Sequence, residues 1–149
     1  MTETARILLY SDDRTLRQAV SLALGTRVAA DLPPIEIVEV ATHPVVETTM
    51  DAGGIDLVIL DGEAVPAGGM GIARQLKDEI DNCPPILLLV ARIADAWLAT
   101  WSRADAICPM PIDPVALPAQ VAELLRKRLA APSDASPDAA SETLESANA

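Results

Sequence analysis

The sequence predicts an α/β fold in which helices cover both faces of a doubly wound parallel sheet. Three observations support this prediction. Short apolar segments alternate with amphipathic helical segments five times along the chain, as in strands joined by right-handed crossover helices. Two of the apolar segments, IDLVIL and ILLLV, are continuous, which is typical of strands buried on both faces. The chain has 149 residues, of which half are hydrophobic, so we expect one domain with an ordered core.

Five apolar segments are predicted to form the strands of this sheet. The second, IEIVEV, alternates with Glu36 and Glu39 and therefore predicts an edge strand with one wetter side. The fifth segment gives the weakest signal. In chain order the predicted strands are Ile7–Tyr10, Ile35–Val40, Ile55–Leu60, Ile86–Val90 and Ala106–Cys108.

Helical periodicity around these strands predicts five helices. The first ends at Gly25, because glycine commonly terminates helices. The fifth begins with Asp113 as its cap and carries Pro114 in its first turn, both favoured at those positions. Pro118 is expected to distort the early part of this helix. The first four helices are predicted over Thr15–Leu24, Pro44–Ala52, Met70–Ile80 and Ala94–Arg103.

Residues 1–130 are expected to form this domain, and residues 131–149 a separate tail. The tail consists largely of Ala, Ser and Pro, with four acidic residues and no basic one. A segment of this composition cannot bury enough apolar surface to fold. The sequence therefore predicts a disordered tail.

Charge and composition exclude several classes of protein. The net charge is −11 and the pI is near 4.3. A protein with this negative charge repels phosphate backbones and anionic lipids, so binding to nucleic acid or to a membrane surface is not expected. No apolar run approaches the roughly 18 residues of a membrane span, and the N-terminal residues do not resemble a signal peptide. Cys83 and Cys108 do not form a disulfide framework, so a cytoplasmic location is expected.

Acidic residues cluster where the first and third predicted strands end. Asp12 and Asp13 follow the first strand, and Asp61 follows the third. These strand ends meet at one edge of a parallel sheet, where ligands bind. Converging carboxylates require a hard cation, a nearby base or a raised pKa. Magnesium is the natural candidate, and a carboxylate beside it can accept a phosphoryl group.

Residue patterns for other catalytic chemistry are missing from the sequence. His43 is the single histidine, so neither a histidine-based triad nor a histidine metal cluster can form. Gly68, Gly69 and Gly71 lack the Lys-Ser/Thr pair of a phosphate-binding loop and predict a flexible turn before the third helix. We therefore expect that the protein is not an enzyme.

Four blocks of sequence resemble a receiver domain of two-component response regulators. They are YSDDRTLR at the first strand, IDLVILDGEAVPAGGMGIARQLK at the third, PPILLLVA at the fourth and ADAICPMPIDPVAL at the fifth. The resemblance implies a flavodoxin-like fold with strand order 2-1-3-4-5. It also implies that Asp61 is the phosphorylatable aspartate, Asp12 the magnesium-binding acid and the backbone carbonyl of Glu63 the third metal ligand.

Two alignments of the first strand remain open. If Arg17 is the usual arginine of the first helix, Ser11 and Asp12 occupy the acidic-pair positions and Ser11 replaces the first acid. Alternatively, Asp12 and Asp13 form the pair, which requires a deletion of one residue in the following loop. Asp13 is a candidate metal ligand only in the second alignment.

Three further positions depart from the receiver pattern. Val90 stands where a Ser or Thr hydroxyl normally holds a phosphoryl oxygen, Met110 where a lysine precedes a cis proline, and Ile107 where an aromatic switch residue lies. Valine and methionine supply neither a hydrogen-bond donor nor a positive charge. Asp61 is therefore expected to be a poor phosphoacceptor with weak magnesium binding beside it. Arg92 either replaces the lysine in part or is a surface arginine.

Trp97 and Trp101 share one face of the predicted fourth helix because they lie four residues apart. Both could fill the core of a protein that has no phenylalanine. Alternatively, at least one serves a partner interface, since tryptophan is enriched at binding hot spots. Receiver domains use this region for partners, and the second interpretation is favoured.

These patterns together predict a stand-alone, atypical receiver domain that acts by protein–protein contact. The segments LALGTR, VEVATHPVV and GGIDLVILDGEAVPAGGMGIA are similar to actinobacterial orphan response regulators associated with respiratory complex I, the type I NADH dehydrogenase. The resemblance implies an accessory or regulatory subunit on the cytoplasmic arm of that complex. The alternative is a phosphorylation-competent response regulator with a histidine kinase as its partner and Asp61 as a magnesium-dependent phosphoacceptor.

Overall fold

A five-stranded parallel sheet in the order β2-β1-β3-β4-β5 forms the centre of the computed structural model, which confirms the predicted fold class. The structure describes residues 4–65, 67–92 and 101–130. The strands are β1 (Ala5–Tyr10), β2 (Ile35–Val40), β3 (Leu57–Asp61), β4 (Ile86–Val90) and β5 (Ala106–Pro109).

Burial of the strands follows their position in the sheet. Every residue of β3 and β4 is buried, as the continuous apolar runs predict. β2 lies at one edge of the sheet and exposes Glu36 and Glu39, which confirms the prediction from its alternating pattern. β3 begins at Leu57 rather than at the predicted Ile55, although Ile55 is also buried.

The described helices are α1 (Arg14–Leu24), α2 (His43–Ala52), α3 (Gly69–Glu79) and a C-terminal helix (Ala116–Ala130). The side chain of Asp113 accepts hydrogen bonds from the backbone N–H groups of Val115 and Ala116, so it caps the C-terminal helix as predicted. These bonds lower the pKa of the Asp113 carboxyl. The helix is regular from Ala116, and Pro118 lies near its start, where the missing N–H removes one backbone donor.

The core consists of two clusters, one on each face of the sheet. On one face, α1 and the C-terminal helix pack against Ile7, Ile59 and Leu89. On the other face, α2 and α3 pack against Tyr10, Leu60 and Val90. Aliphatic side chains supply nearly all of both clusters. Because successive side chains of a strand point to opposite faces, neighbouring residues along β1, β3 and β4 enter opposite clusters.

Two sequence predictions fall on parts of the chain outside the described residues. The predicted helix over Ala94–Arg103 lies there as far as residue 100, and so does the whole of the predicted tail, residues 131–149. The domain boundary at residue 130 therefore stays a prediction. In the part of the chain that the structure describes, no helix is long and apolar enough to cross a membrane.

Candidate functional site

Asp61 ends β3 at the carboxyl edge of the sheet and is almost fully buried, with 3% of its surface exposed. Both of its carboxylate oxygens accept hydrogen bonds. Oδ2 accepts from the Ser11 hydroxyl at 2.7 Å, and Oδ1 accepts from the Glu63 backbone N–H at 2.8 Å. The parallel pairing of Tyr10 with Leu60 sets this geometry, because it aligns the residues that follow β1 with the end of β3.

Ser11 is fully buried and lies between the first loop and Asp61. Its Oγ accepts a hydrogen bond from the Asp13 N–H at 2.9 Å and donates its own proton to Asp61. A serine here supplies a donor to the buried carboxylate, whereas an acid would add a second negative charge. The exchange removes a repulsion and also removes a potential metal ligand.

Asp12 and Asp13 have different roles. Asp12 is exposed, and its Oδ1 accepts from the Val65 N–H at 3.3 Å, so it reaches the loop that follows β3. Asp13 caps α1 by accepting from the backbone N–H groups of its first turn. The Asp13 carboxylate therefore binds the start of α1, whereas the Asp12 carboxylate faces the loop after β3.

Glu63 connects the loop after β3 to the end of β4. Its backbone N–H donates to Asp61, while its exposed carboxylate accepts from the Ala91 N–H at 3.3 Å. The carboxylate therefore adds negative charge at the rim of the site. The Glu63 carbonyl, the predicted third metal ligand, belongs to the same turn.

The three substituted switch positions lie in or against the hydrophobic core. Val90 is fully buried in the cluster beneath α2 and α3, and Ile107 packs against that cluster. Met110 packs against the cluster on the opposite face and precedes Pro111 through a cis peptide bond. Arg92 is exposed two residues beyond the end of β4. The ends of β4 and β5 thus carry apolar side chains at the three substituted positions.

Arg17 is a cation near the site whose contacts the sequence does not predict. Its guanidinium donates to the Ser11 carbonyl at 2.6 Å and to the Glu39 carboxylate at 3.1 Å. It therefore holds the backbone of the residue that binds Asp61. The position of Arg17 in the first helix is the signal that could have revealed this role.

Close backbone packing explains a glycine at the start of α3, where Gly69 and Gly71 lie within the helix rather than in the predicted turn before it. A Cβ on Gly69 would lie 2.6 Å from the carbonyl oxygen of Asp61, far inside normal contact distance. Gly71, by contrast, faces open space. Gly69 lets the start of α3 approach β3 and thereby helps to bury Asp61.

Tyr10 lies near the carboxylates of Asp12 and Asp61, and its hydroxyl responds to their charge. Its hydroxyl donates to the Ala67 carbonyl. Burial raises the pKa of the Tyr10 hydroxyl, and the charges of Asp12 and Asp61 raise it further. Both carboxylates are therefore close enough to the Tyr10 hydroxyl to affect its pKa.

The described acidic side chains do not make up a metal site by themselves. Among the described residues, no group of three His, Cys, Asp or Glu side chains could hold a metal ion. A magnesium ion beside Asp12 and Asp61 would therefore also need the Glu63 carbonyl and water as ligands. Weak binding at Asp12 and Asp61 stays a prediction.

Trp101 lies on an exposed surface near α3. Its side chain is 49% exposed, and the Arg74 guanidinium lies 5.1 Å from its ring centroid. Arg74 also donates to the Trp101 carbonyl at 2.7 Å. Trp97 lies outside the described residues. Of the predicted pair, Trp101 therefore has the exposure that a partner contact requires.

Comparison by sequence finds two close relatives. No family model matches the chain. This chain is 60% identical over 121 residues to the uncharacterized response regulatory proteins MT3230 and Rv3143 of two Mycobacterium tuberculosis strains. The matches cover 81% of this chain and 91% of each relative.

Comparison by structure finds the same fold in distant proteins. A putative response regulator from Chloroflexus aurantiacus J-10-fl has a TM-score of 0.71 at 20% identity, over 83% of this chain and 99% of that one. The response regulator DrrB of Thermotoga maritima has a TM-score of 0.66 at 20% identity, over 84% of this chain and 54% of DrrB. The chain thus spans about half of DrrB, and at this identity the likeness concerns the fold alone.

Proposed function

The chain belongs to the response regulator family, and we propose that it is an atypical receiver domain that acts through protein–protein contact without a phosphorylation switch. The state of Asp61 carries this proposal. The residue is 3% exposed, and each of its carboxylate oxygens accepts one hydrogen bond. Each oxygen keeps a second acceptor site, but a phosphodonor would have to reach that site on a nearly buried carboxylate.

Electrostatics also disfavour a phosphoryl group at this position. Such a group brings about −1.5 to −2 charges at neutral pH. It would lie near the carboxylates of Asp12 and Glu63, both held at this edge by backbone N–H groups. Arg17, a cation whose contacts reach this site, is already bonded to Glu39 and the Ser11 carbonyl.

At the ends of β4 and β5, the side chains of Val90 and Met110 supply neither a hydrogen-bond donor nor a positive charge. Val90 is buried in the cluster beneath α2 and α3, and Met110 packs against the cluster on the opposite face. A hydrogen bond to a charged group is worth about 1.5–3 kcal/mol, so two missing donors would leave the phosphorylated state poorly stabilised. Binding therefore has to depend on a surface that is present without phosphorylation.

The Trp101 surface is our candidate for that contact. A half-exposed tryptophan beneath an arginine combines the two residue types most enriched at interface hot spots. The hydrogen bond from Arg74 to the Trp101 carbonyl fixes both groups before a partner arrives. A preorganised surface loses less conformational entropy on binding.

A phosphodonor assay tests the proposal. The full-length protein is incubated with excess acetyl phosphate and magnesium, and its intact mass is recorded beside that of an Asp61→Asn variant. We expect little modification that depends on Asp61. Near-stoichiometric modification that changes partner affinity tenfold would overturn the proposal.

That result would support a second candidate, a phosphorylation-competent regulator with a histidine kinase partner. The observations in its favour are the relatives' names and the position of Asp61 at the carboxyl edge of the sheet. Asp12 lies at the same edge, so it would be the first residue to test for magnesium binding.

Association with respiratory complex I is a further proposal about the partner and rests on the sequence resemblance. Affinity capture of the tagged protein from native lysate tests it. Enrichment of the complex's cytoplasmic-arm subunits, lost in a Trp101→Ala variant, is the expected result. Recovery of a histidine kinase instead would favour the second candidate.

A further inference from the structure

A cleft of about 280 Å³ lies at the amino edge of the sheet, opposite the edge that carries Asp61. The residues before β4 and β5 and the ends of α3 and the C-terminal helix surround it. Its lining consists of Lys77, Cys83, Pro85, Asp105, Leu124, Lys127 and Arg128. Three cationic side chains and one carboxylate thus face one space.

The single carboxylate of the cleft is already bonded. Asp105 accepts from Lys77 at 2.7 Å and from the Ile86 N–H at 2.8 Å. Arg128 donates to the carbonyl and side-chain oxygens of Asn82. Among the described residues, neither Lys127 nor Arg128 forms an ion pair with a carboxylate. The cleft therefore keeps an excess of positive charge in a protein whose net charge is −11.

We propose that the acidic segment of this same chain, residues 131–149, binds in this cleft. The segment begins directly after Ala130, where the C-terminal helix ends. It contains Asp134, Asp138, Glu142 and Glu145 and no basic residue. An extended chain spans about 3.3 Å per residue, so all four acids can reach Lys127 and Arg128 in the preceding helical turn.

The helix dipole alone does not account for the cleft. Lys127 and Arg128 lie in the last turn of their helix, where bases interact favourably with the dipole. Lys77, however, comes from α3 and joins them in the same cavity. Exposed ion pairs are individually weak and screened by salt, so the contact is salt-sensitive and contributes little to folding stability.

Cys83 provides a reporter for this contact. It lies in the cleft and is partly exposed, whereas the other thiol, Cys108, is buried. The alkylation rate of Cys83 by iodoacetamide, located by peptide mapping, therefore measures access to the cleft. Cys108 reports unfolding in the same sample.

The test compares the full-length protein with a full-length variant carrying Asp134→Asn, Asp138→Asn, Glu142→Gln and Glu145→Gln. Limiting rates are taken from pH profiles, so that a change in the thiol pKa is not read as a change in access. We expect Cys83 to react about fivefold faster in the variant, the effect of two weak ion pairs. High salt should raise the wild-type rate to that of the variant and leave the variant unchanged.

A matched control neutralises acids elsewhere. Glu36→Gln with Asp51→Asn removes two exposed acids from β2 and α2, and protection of Cys83 should persist. The protection should also be independent of protein concentration, because the occupant belongs to the same chain. Equal rates in the wild type and the tail variant, or protection that grows with concentration, would overturn the proposal.

Discussion

The carboxyl edge of the sheet has two halves that differ in chemistry. At the ends of β1 and β3, Ser11 and Asp61 form a buried polar pair with satisfied hydrogen bonds. At the ends of β4 and β5, Val90 and Met110 belong to or pack against the hydrophobic core. One half therefore holds a buried, hydrogen-bonded carboxylate, while the other half contributes to packing.

Removing the hydroxyl of the polar half should have the largest effect on stability. Ser11→Ala leaves one oxygen of the buried Asp61 carboxylate without its donor. We expect a loss of about 1.5–3 kcal/mol in the free energy of unfolding, measured by urea denaturation. Ser21→Ala is the control, because the Ser21 hydroxyl donates a longer hydrogen bond, at 3.3 Å, to the exposed Glu39 carboxylate. A loss of the same size in both variants would contradict the polar pair's special role.

Crowding the contact between α3 and β3 should cost somewhat less. Gly69→Ala places a methyl group 2.6 Å from the Asp61 carbonyl oxygen, so backbone must shift at a cost of about 1–3 kcal/mol. Gly71→Ala meets nothing within 4 Å and should stabilise α3 by up to about 1 kcal/mol. Thermal unfolding of the two variants measures the difference. Equal melting temperatures of the two variants would show that the start of α3 is not in close contact with β3.

The sequence predicts the fold better than it predicts the site. Apolar runs such as ILLLV at β4 determine burial on both faces, and Asp113 marks the start of the C-terminal helix. By contrast, the contact from Arg17 to the Ser11 carbonyl depends on a side-chain conformation. The close approach of Gly69 depends on how α3 packs. Neither has a periodic signature in the sequence.

The Trp101 surface should contribute little to the free energy of unfolding. Because Trp101 is 49% exposed, Trp101→Ala should cost well under the roughly 3–5 kcal/mol of a buried tryptophan. Its effect on partner affinity should be about 2 kcal/mol, measured by titration with the captured partner. Leu22→Ala on α1, where Leu22 is 80% exposed, is the control and should leave affinity unchanged. Unfolding of the Trp101 variant would identify a core residue instead.

Removal of the acidic tail should have the smallest effect. Residues 131–149 lack apolar periodicity, and salt-sensitive contacts add little stability. The melting temperature of the shortened protein should stay within about 4–8 °C of the wild type, the shift that about 1 kcal/mol produces in a domain of up to about 100 residues. A larger fall in calorimetry would show that the tail packs on the domain.

The most direct test restores donors to the apolar half and measures phosphorylation of Asp61. Val90→Thr with Met110→Lys places a hydroxyl and a positive charge at the ends of β4 and β5, and the intact mass is recorded after incubation with acetyl phosphate and magnesium. Thermal unfolding of the double variant verifies its fold, and Asp61→Asn in each background verifies the modified residue. We expect low modification of the wild type and a several-fold increase in the double variant. Near-complete modification of the wild type, unchanged by the two substitutions, would contradict the account.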